Sequence, residues 1–257
     1  YLNEFEPNGL EIIHSGDLPA RSGVGSSSAF TVGLLNALNF IIKEKKLDPL
    51  SLANSAITIE RDLLKESGGI QDQICAAYGG ISLFKYCEKN GIIHNVPSYS
   101  KKLEEIIEKN FYLGYIPRSK NSCDIIDKIQ KEASTNQLMR DTIKELSKVN
   151  QSAINTLEKS QNIFNDLCKG IQETSILKEK ILKLSDTSIP LNIILALKNG
   201  PFEGYKLMGS GGGGFFYIIA KNDLSIEDLF DYIPDVNIWK KIKVSEEGSR
   251  ILNYEKA

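Results

Sequence analysis

One stretch near the start of the chain, Leu18-Pro19-Ala20-Arg21-Ser22-Gly23-Val24-Gly25-Ser26-Ser27-Ser28, limits what the sequence can fold into more than any other. A short β-type run, Leu10 to His14, precedes it. Helical spacing follows at once, with Phe30, Leu34, Leu38, Ile41 and Ile42 on one side and lysines in the last turn. The pattern predicts strand, glycine loop and helix. Gly23 and Gly25 let the backbone approach a ligand closely. The serines fall where the helix begins, so unpaired N–H groups and the positive end of the helix dipole face whatever lies there. Such a site suits the phosphates of a nucleotide, and the hydroxyls can reach a phosphate oxygen or Mg²⁺. An ordinary serine-capped turn is the simpler reading, and the whole combination of strand, loop and long amphipathic helix argues against it. No Gly-Lys-Ser/Thr follows, so this is not a Walker A loop.

With 257 residues, 41% hydrophobic and 25% charged, the chain has the balance of a soluble globular protein with a sizeable core. A net charge of -2 offers no basic excess for nucleic acid. Cys75, Cys87, Cys123 and Cys168 form no C-x-x-C pair and have no histidine at ligand spacing, which argues against zinc. Scattered thiols and a polar, acidic Tyr1–Pro7 stretch without signal-peptide character suggest a reducing cytoplasm. No apolar run approaches the ~20 residues that cross a bilayer, so no membrane partner is expected.

Further along, Asp48 reads as an N-cap with Pro49 at the first helical position. Leu52, Ala56, Ile59 and Leu63 give that helix an apolar face; it carries Glu60 and ends near Ser67-Gly68. A shorter helix with Asp72 in its first turn runs to Tyr78 and stops at Gly79-Gly80. Two strands follow around Asn90-Gly91. The character changes near residue 100, which divides the chain into 1–100 and 101–257. Beyond it come a helix over Lys101–Lys109, a strand over Phe111–Ile116, a polar loop, and helices from Asp124 to Leu184. A helix near Leu191–Leu197, strands at Tyr205–Met208 and Phe215–Ala220, and a last helix capped by Ser225 complete the pattern. His14 and His94, the only histidines, lack a partner at triad spacing and read as structural, and Trp239 and Tyr232 read as core aromatics.

Two further signals carry chemistry. Glu60 and Asp72 lie on one helix–turn–helix, joined by a flexible Ser67-Gly68-Gly69, and can meet at one ion. A helix N-terminus at Asp72 would favour its anion. Taken alone, the pair also reads as a glutamate bonded to Arg61 and an ordinary first-turn acid. The second signal, Met208-Gly209-Ser210-Gly211-Gly212-Gly213-Gly214-Phe215, lies between strands, not between strand and helix, so it is no dinucleotide fingerprint. It reads equally as a loop passing close to something bulky and as a flexible hairpin loop.

Together these motifs resemble the GHMP kinases. Residues 18–29 look like the family's P-x-x-x-G-L-G-S-S-A-A motif, with Val24 for leucine. Glu60 through Gly68-Gly69-Ile70-Gln71-Asp72-Gln73 looks like the segment carrying its magnesium glutamate and catalytic aspartate. Lys206-Leu207-Met208-Gly209-Ser210-Gly211-Gly212-Gly213-Gly214 looks like its K-L-x-G-A-G-G-G-G motif. Gly-Gly-x-Gln-Asp-Gln followed by Ala-Ala-Tyr-Gly-Gly is similar to the branch of bacterial sugar kinases that includes heptose 7-phosphate kinases. Tyr115 to Ser122, with Arg118, resembles that branch's substrate-side segment without its threonine and glycine. The family's opening strand and Gly-Gly-Gly-Thr-Asp segment have no counterpart in these residues.

The resemblance implies a two-lobed α+β fold, ribosomal-protein-like in its first half (1–100, lacking the opening segment) and ferredoxin-like in its second (101–257). It implies ATP held by Pro19, Ser22, Gly23, Val24, Gly25, Ser26, Ser27 and Ser28, and Mg²⁺ on Ser27 and Glu60. Asp72 would act on the acceptor hydroxyl. Gly69, Gln71, Arg118, Gly211 and Gly212 would contact a sugar or sugar phosphate. A cytoplasmic kinase is expected, a homodimer is admitted, and no nucleic acid is needed. A decarboxylase on the same fold, or a non-catalytic sugar or nucleotide binder, are the alternative activities.

Overall fold

The structure is a computed structural model, and it describes residues 11–18, 23–87, 91–117, 122–187 and 191–252. It falls into two compact units, one of Tyr1–Gly80, Phe84–Ile93 and Ser245–Ala257, the other of Ile81–Leu83 and His94–Val244. The sequence division at residue 100 does not anticipate that the tail from Ser245 groups with the first unit.

In the first unit, α1 (Ser26–Lys43), α2 (Pro49–Ile57) and α3 (Gln71–Tyr78) surround a core of Val32, Leu35, Leu52, Ala53, Ala56, Ile74 and Ala77. Asp48 caps α2 as expected, its Oδ1 accepting from Ser51 N–H at 3.0 Å. The run Glu11–His14 is exposed and forms no strand, since no neighbouring strand among the described residues supplies a ladder for it. The inward face of α1 also differs from the expected one. Ser28, Val32, Leu35, Asn36 and Asn39 are buried, while Phe30 and Ile41 are exposed. The asparagines face inward because each finds a partner: Asn36 Nδ2 donates to Ser249 O (3.2 Å) and Oγ (3.1 Å), and Asn39 Nδ2 to Lys45 O (2.5 Å). Ser249 belongs to the returning tail, which also gives Ser249 N–H to Ala76 O at 2.9 Å and accepts Gly80 N–H at Ser245 O. There the backbones touch: a Cβ on Gly248 would lie 2.2 Å from Ala77 O, and one on Gly79 2.3 Å from Glu247 C.

A two-stranded sheet, β1 (Leu83–Cys87) with β2 (Gly91–Asn95), follows. On it, His94 Nε2 lies 3.0 Å from Ser82 Oγ.

The second unit is built on a four-stranded antiparallel sheet. Its strands are β3 (Phe111–Ile116), β4 (Phe202–Leu207), β5 (Gly214–Ala220) and β6 (Ile238–Lys241), in the order β4-β5-β3-β6. Both β3 and β4 run antiparallel to β5 between them, so they are parallel to each other and need a helical crossover. That strand order is ferredoxin-like, as expected for the second half. The crossover is long: α5 (Ser122–Thr135), α6 (Gln137–Leu157), α7 (Ile163–Leu184) and α8 (Leu191–Asn199). Helix α4 (Ser100–Asn110) leads into β3, and α9 (Ile226–Tyr232) joins β5 to β6. Ser225 caps α9 in a reciprocal box with Asp228. Strand β6 carries too short an apolar pattern to stand out in the sequence. Its Trp239 is a core residue, whereas Tyr232 is 46% exposed and is not.

One face of the sheet carries Tyr112, Leu207, Phe216, Ile218 and Trp239 with Ile125 and Leu182 over them; Phe111 and Ile219 lie with Ile106, Cys168 and Ile171 in a separate cluster. Gly114 is fixed by this packing. A Cβ there would lie 2.5 Å from Phe216 Cζ and 2.9 Å from Trp239 Cζ3, and both rings are closed in. Gly114→Ala should therefore destabilise the protein by about 1–3 kcal/mol through overpacking. Urea denaturation of the two proteins side by side checks this, and equal midpoints would refute it.

Candidate active site

Helix α2 buries Leu52, Ala53 and Ala56, and the next position on that stripe is not apolar but Glu60, 2% exposed. The expected continuation through Leu63 does not occur: Leu63 is 70% exposed. From Thr58 to Leu63 the backbone widens to a π-helix, with Leu64 N–H on Ile59 O. Such widened turns change which residue faces inward and recur at functional sites. Glu60 Oε2 accepts from Ser28 Oγ (2.9 Å), in the first turn of α1, and from Gln73 Nε2 (2.6 Å), in the first turn of α3. The carboxylate thus ties the starts of two helices together. Glu60 Oε1 and Gln73 Oε1 are both buried and have no hydrogen-bond partner. Leaving such oxygens bare is costly, and a hard cation is the natural occupant.

Asp72 lies beside Gln73 in the first turn of α3. Its carboxyl packs on the N-cap of α1: a Cβ at Gly25 would meet Asp72 Cγ at 3.1 Å and Oδ2 at 3.3 Å. Gly25 has φ 75 and Gly23 φ 83, values that L side chains rarely adopt, so conformation favours glycine at both, and at Gly25 the tight space beside Asp72 does as well. The end of the glycine loop, Glu60 and Asp72 therefore come together. Burial, and then the Glu60 charge, raise the pKa of Asp72 above the ordinary carboxylate value, with Arg61 opposing them. The expectation that the helix N-terminus would favour the anion is overturned: desolvation and a like charge dominate.

The joint between the acids is braced, not flexible. Arg61 donates to Gly69 O from Nε (3.2 Å) and NH2 (2.7 Å), and to Glu66 O from NH1 (3.1 Å). Its contact with Glu60 is longer, 3.7 Å. Arg61 was not a candidate from the sequence, because its partners are backbone carbonyls that no spacing rule reveals. Gln71 leans over Gly69, where a Cβ would lie 2.1 Å from its Oε1.

Of the remaining candidates, Pro19, Ser22 and Arg118 lie outside the described residues. Gly23 and Val24 are half-buried in the loop, and Ser26 opens α1. Ser27 is exposed, and its carbonyl accepts from Thr31 Oγ1 at 3.2 Å; the serine on Glu60 is Ser28. Gly211 and Gly212 belong to the second unit. A Cβ on Gly211 would meet Leu182 Cδ1 at 2.7 Å, and one on Gly212 would meet Ile125 Cδ1 at 2.2 Å. The bulky neighbours that these glycines accommodate are the protein's own side chains. Among the described residues no group of three or more His, Cys, Asp or Glu could enclose a metal. No helix among them is long and apolar enough to cross a membrane.

Residues 1–80 match the family model of the GHMP kinases N terminal domain. It is 27% identical over 215 residues to a D-glycero-alpha-D-manno-heptose 7-phosphate kinase from Campylobacter jejuni, covering 79% of this chain and 59% of that one. It is 26% identical over 232 residues to a mevalonate kinase from Methanocaldococcus jannaschii, covering 89% of this chain and 67% of the relative. Among solved structures, a D-glycero-D-manno-heptose 1-phosphate kinase from Bacteriodes thetaiotaomicron aligns with TM-score 0.58 at 19% identity, over 92% of this chain and 66% of the other. The Methanococcus jannaschii mevalonate kinase structure aligns with TM-score 0.63 at 22% identity, over 89% and 67%. The mixed α+β fold is that of these kinases.

The raised pKa of Asp72 has a consequence for stability. The folded protein holds this proton more tightly than the unfolded chain. The group's stabilising contribution is therefore full below the unfolded carboxylate value and is lost as pH rises through the folded one. Asp72→Asn, neutral throughout, should melt at a higher temperature than wild type at pH 8 in metal-free buffer. That advantage should vanish below about pH 4. Melting curves at both pH values decide, and a lower melting temperature for the variant at pH 8 would contradict the assignment.

Proposed function

We propose that this chain carries the catalytic machinery of an ATP-dependent kinase that phosphorylates a hydroxyl of a sugar or sugar phosphate. The observation that carries the reading is Glu60, a buried carboxylate with one bare oxygen, gathered with Asp72 and the glycine-loop end of α1. The chain spans only 59% of the Campylobacter relative's length, so the reading concerns the whole protein to which these residues belong.

Phosphoryl transfer needs positioning and charge neutralisation more than covalent help. In this reading the amides of Gly23 to Ser28, at the start of α1, hold the phosphates of ATP. Glu60, with the hydroxyl of Ser27 or Ser28, would hold Mg²⁺, which would supply neutralising charge to the phosphates. An ion that keeps its waters and takes phosphate oxygens suits a site with a single carboxylate and neutral oxygens. Asp72 accepts the proton of the acceptor hydroxyl as its oxygen attacks the γ-phosphorus and ADP leaves. Its raised pKa makes it a stronger base than a free aspartate. Gly69, Gln71, Arg118, Gly211 and Gly212 are assigned to the acceptor by resemblance. The resemblance of Gly-Gly-x-Gln-Asp-Gln to the sugar-kinase branch favours a sugar over mevalonate, while two of the relatives, a heptose phosphate kinase and a mevalonate kinase, are about equally similar in identity.

The experiment is ADP release by the complete protein with Mg·ATP across hexoses, heptoses, their phosphates and mevalonate. Turnover with mevalonate alone would overturn the sugar assignment. The two acids should then fail differently. Asp72→Asn should keep ATP binding and lose about 10²–10⁴-fold in turnover. Glu60→Gln should raise the Mg²⁺ needed for half-maximal rate, with partial rescue by excess Mg²⁺. An Asp72→Asn variant as active as wild type would remove Asp72 from the mechanism.

A further inference from the structure

Strand β4 is an edge of the second unit's sheet, pairing with β5 on one side only. Its outward carbonyls would ordinarily be open to another strand. They are not open here. Gln172 Nε2 donates to Glu203 O at 2.6 Å, Ser175 Oγ donates to Tyr205 O, and Lys178 Nζ donates to Leu207 O at 2.9 Å. The acceptors are alternate residues of a strand, so their carbonyls point the same way, away from β5. The donors recur every third residue on α7, so they line one side of it. Helix α7 thus runs along the strand's edge. Cys168 and Ile171, near its start, join the core cluster of Phe111 and Ile219, whereas Leu182, near its end, joins that of Phe216 and Trp239. Glu179, 5% exposed, anchors the same run by accepting from the Tyr205 hydroxyl and from Lys198 Nζ at 2.8 Å.

The last donor of this row does more than seal an edge. Lys178 Nζ also donates to Gly209 O, at 2.5 Å, so one ammonium bridges the carbonyls on either side of Met208, where β4 gives way to the glycine loop. The loop then rests on the same helix: a Cβ on Gly211 would meet Leu182 Cδ1 at 2.7 Å and Lys178 Cε at 3.2 Å. We propose that Gln172, Ser175 and Lys178 form a polar ladder that closes the edge of β4, and that Lys178, its last rung, is a positioning residue that sets the conformation of the loop Gly209–Gly214. This deepens the kinase reading, on which the loop's contact with the acceptor rests, but the ladder itself is a property of the second unit.

The test is backbone amide hydrogen exchange on the full-length protein, with kinetics alongside. Lys178→Met keeps the apolar stem and removes the ammonium. Exchange of the amides from Met208 to Gly214 should quicken roughly tenfold or more, since hydrogen bonds from a charged donor are the stronger kind. The amides of β3 and β5 should be unchanged. Lys178→Arg should restore protection at least in part, and Gln172→Met, at the far end of the ladder, should leave the loop as it is. Should the methionine variant not fold, Lys178→Gln, neutral and shorter, is read in its place with the same expected result. Unchanged loop exchange would overturn the proposal. So would acceleration spread equally over β3 and β5, which would make Lys178 a general stabilising residue. With turnover in hand, the Lys178 variant should raise the KM for the acceptor more than that for ATP. A wild-type protein without phosphoryl transfer would sink the kinase reading, yet the exchange pattern would still decide the ladder.

Discussion

Glu60 is a carboxylate on the buried stripe of a helix, bonded through one oxygen and bare at the other, and the first unit is organised around it. Ser28 and Gln73 are held to it from two different helices, so the start of α1 and the start of α3 cannot separate without stranding a charge away from water. An apolar residue of similar size at position 60 would suit the core better. The place of Glu60 there is set by hydrogen-bond partners and not by apolar packing. Burial first, and the neighbouring Glu60 carboxylate second, raise the pKa of Asp72, with Arg61 opposing them.

The bracing is backbone-directed. Arg61 follows Glu60 in sequence, yet spends most of its donors on Gly69 O and Glu66 O, fixing the loop that sets where Asp72 emerges. The returning tail does the same from the other side, through Ser249 to Asn36 of α1 and Ala76 of α3. Two glycines without room for a Cβ, Gly79 and Gly248, let those backbones meet. These devices hold the constellation of Glu60, Asp72 and Gly25 in place, as a preorganised site requires.

The motifs were legible because each had a local cause. A glycine pair before a helix, an acid in a first turn and a Ser-x-x-Asp cap are readable without knowing what they touch, and the elements at Asp48, Phe111–Ile116 and Ser225 fell where the residues put them. The inward face of α1 was not legible. Counting apolar residues selected Phe30, Leu34 and Leu38, whereas the buried side carries Asn36 and Asn39, whose bonds run to Ser249 and Lys45. Glu60 was singled out from the sequence, but its burial was not legible, for the same reason. Hydrophobic periodicity extends a stripe to the next leucine, Leu63, and cannot see that a widened turn brings a carboxylate inward instead. Buried polar residues are placed by partners distant in sequence, and periodicity is blind to partners.

The two glycine loops show how one residue type serves opposed ends. At Gly25 the absent side chain leaves room for another, the Asp72 carboxyl, and the positive φ is one that glycine adopts readily. At Gly211 and Gly212 the space is taken by Leu182 and Ile125, so the loop is pressed onto the helices beneath it. A hairpin loop of this composition would be expected to move freely. Here Lys178 bonds the carbonyls at its entry, and Leu182 and Ile125 lie against its middle. Glycine in such a loop is thus the condition for close packing: only a chain without side chains can lie this near to α5 and α7.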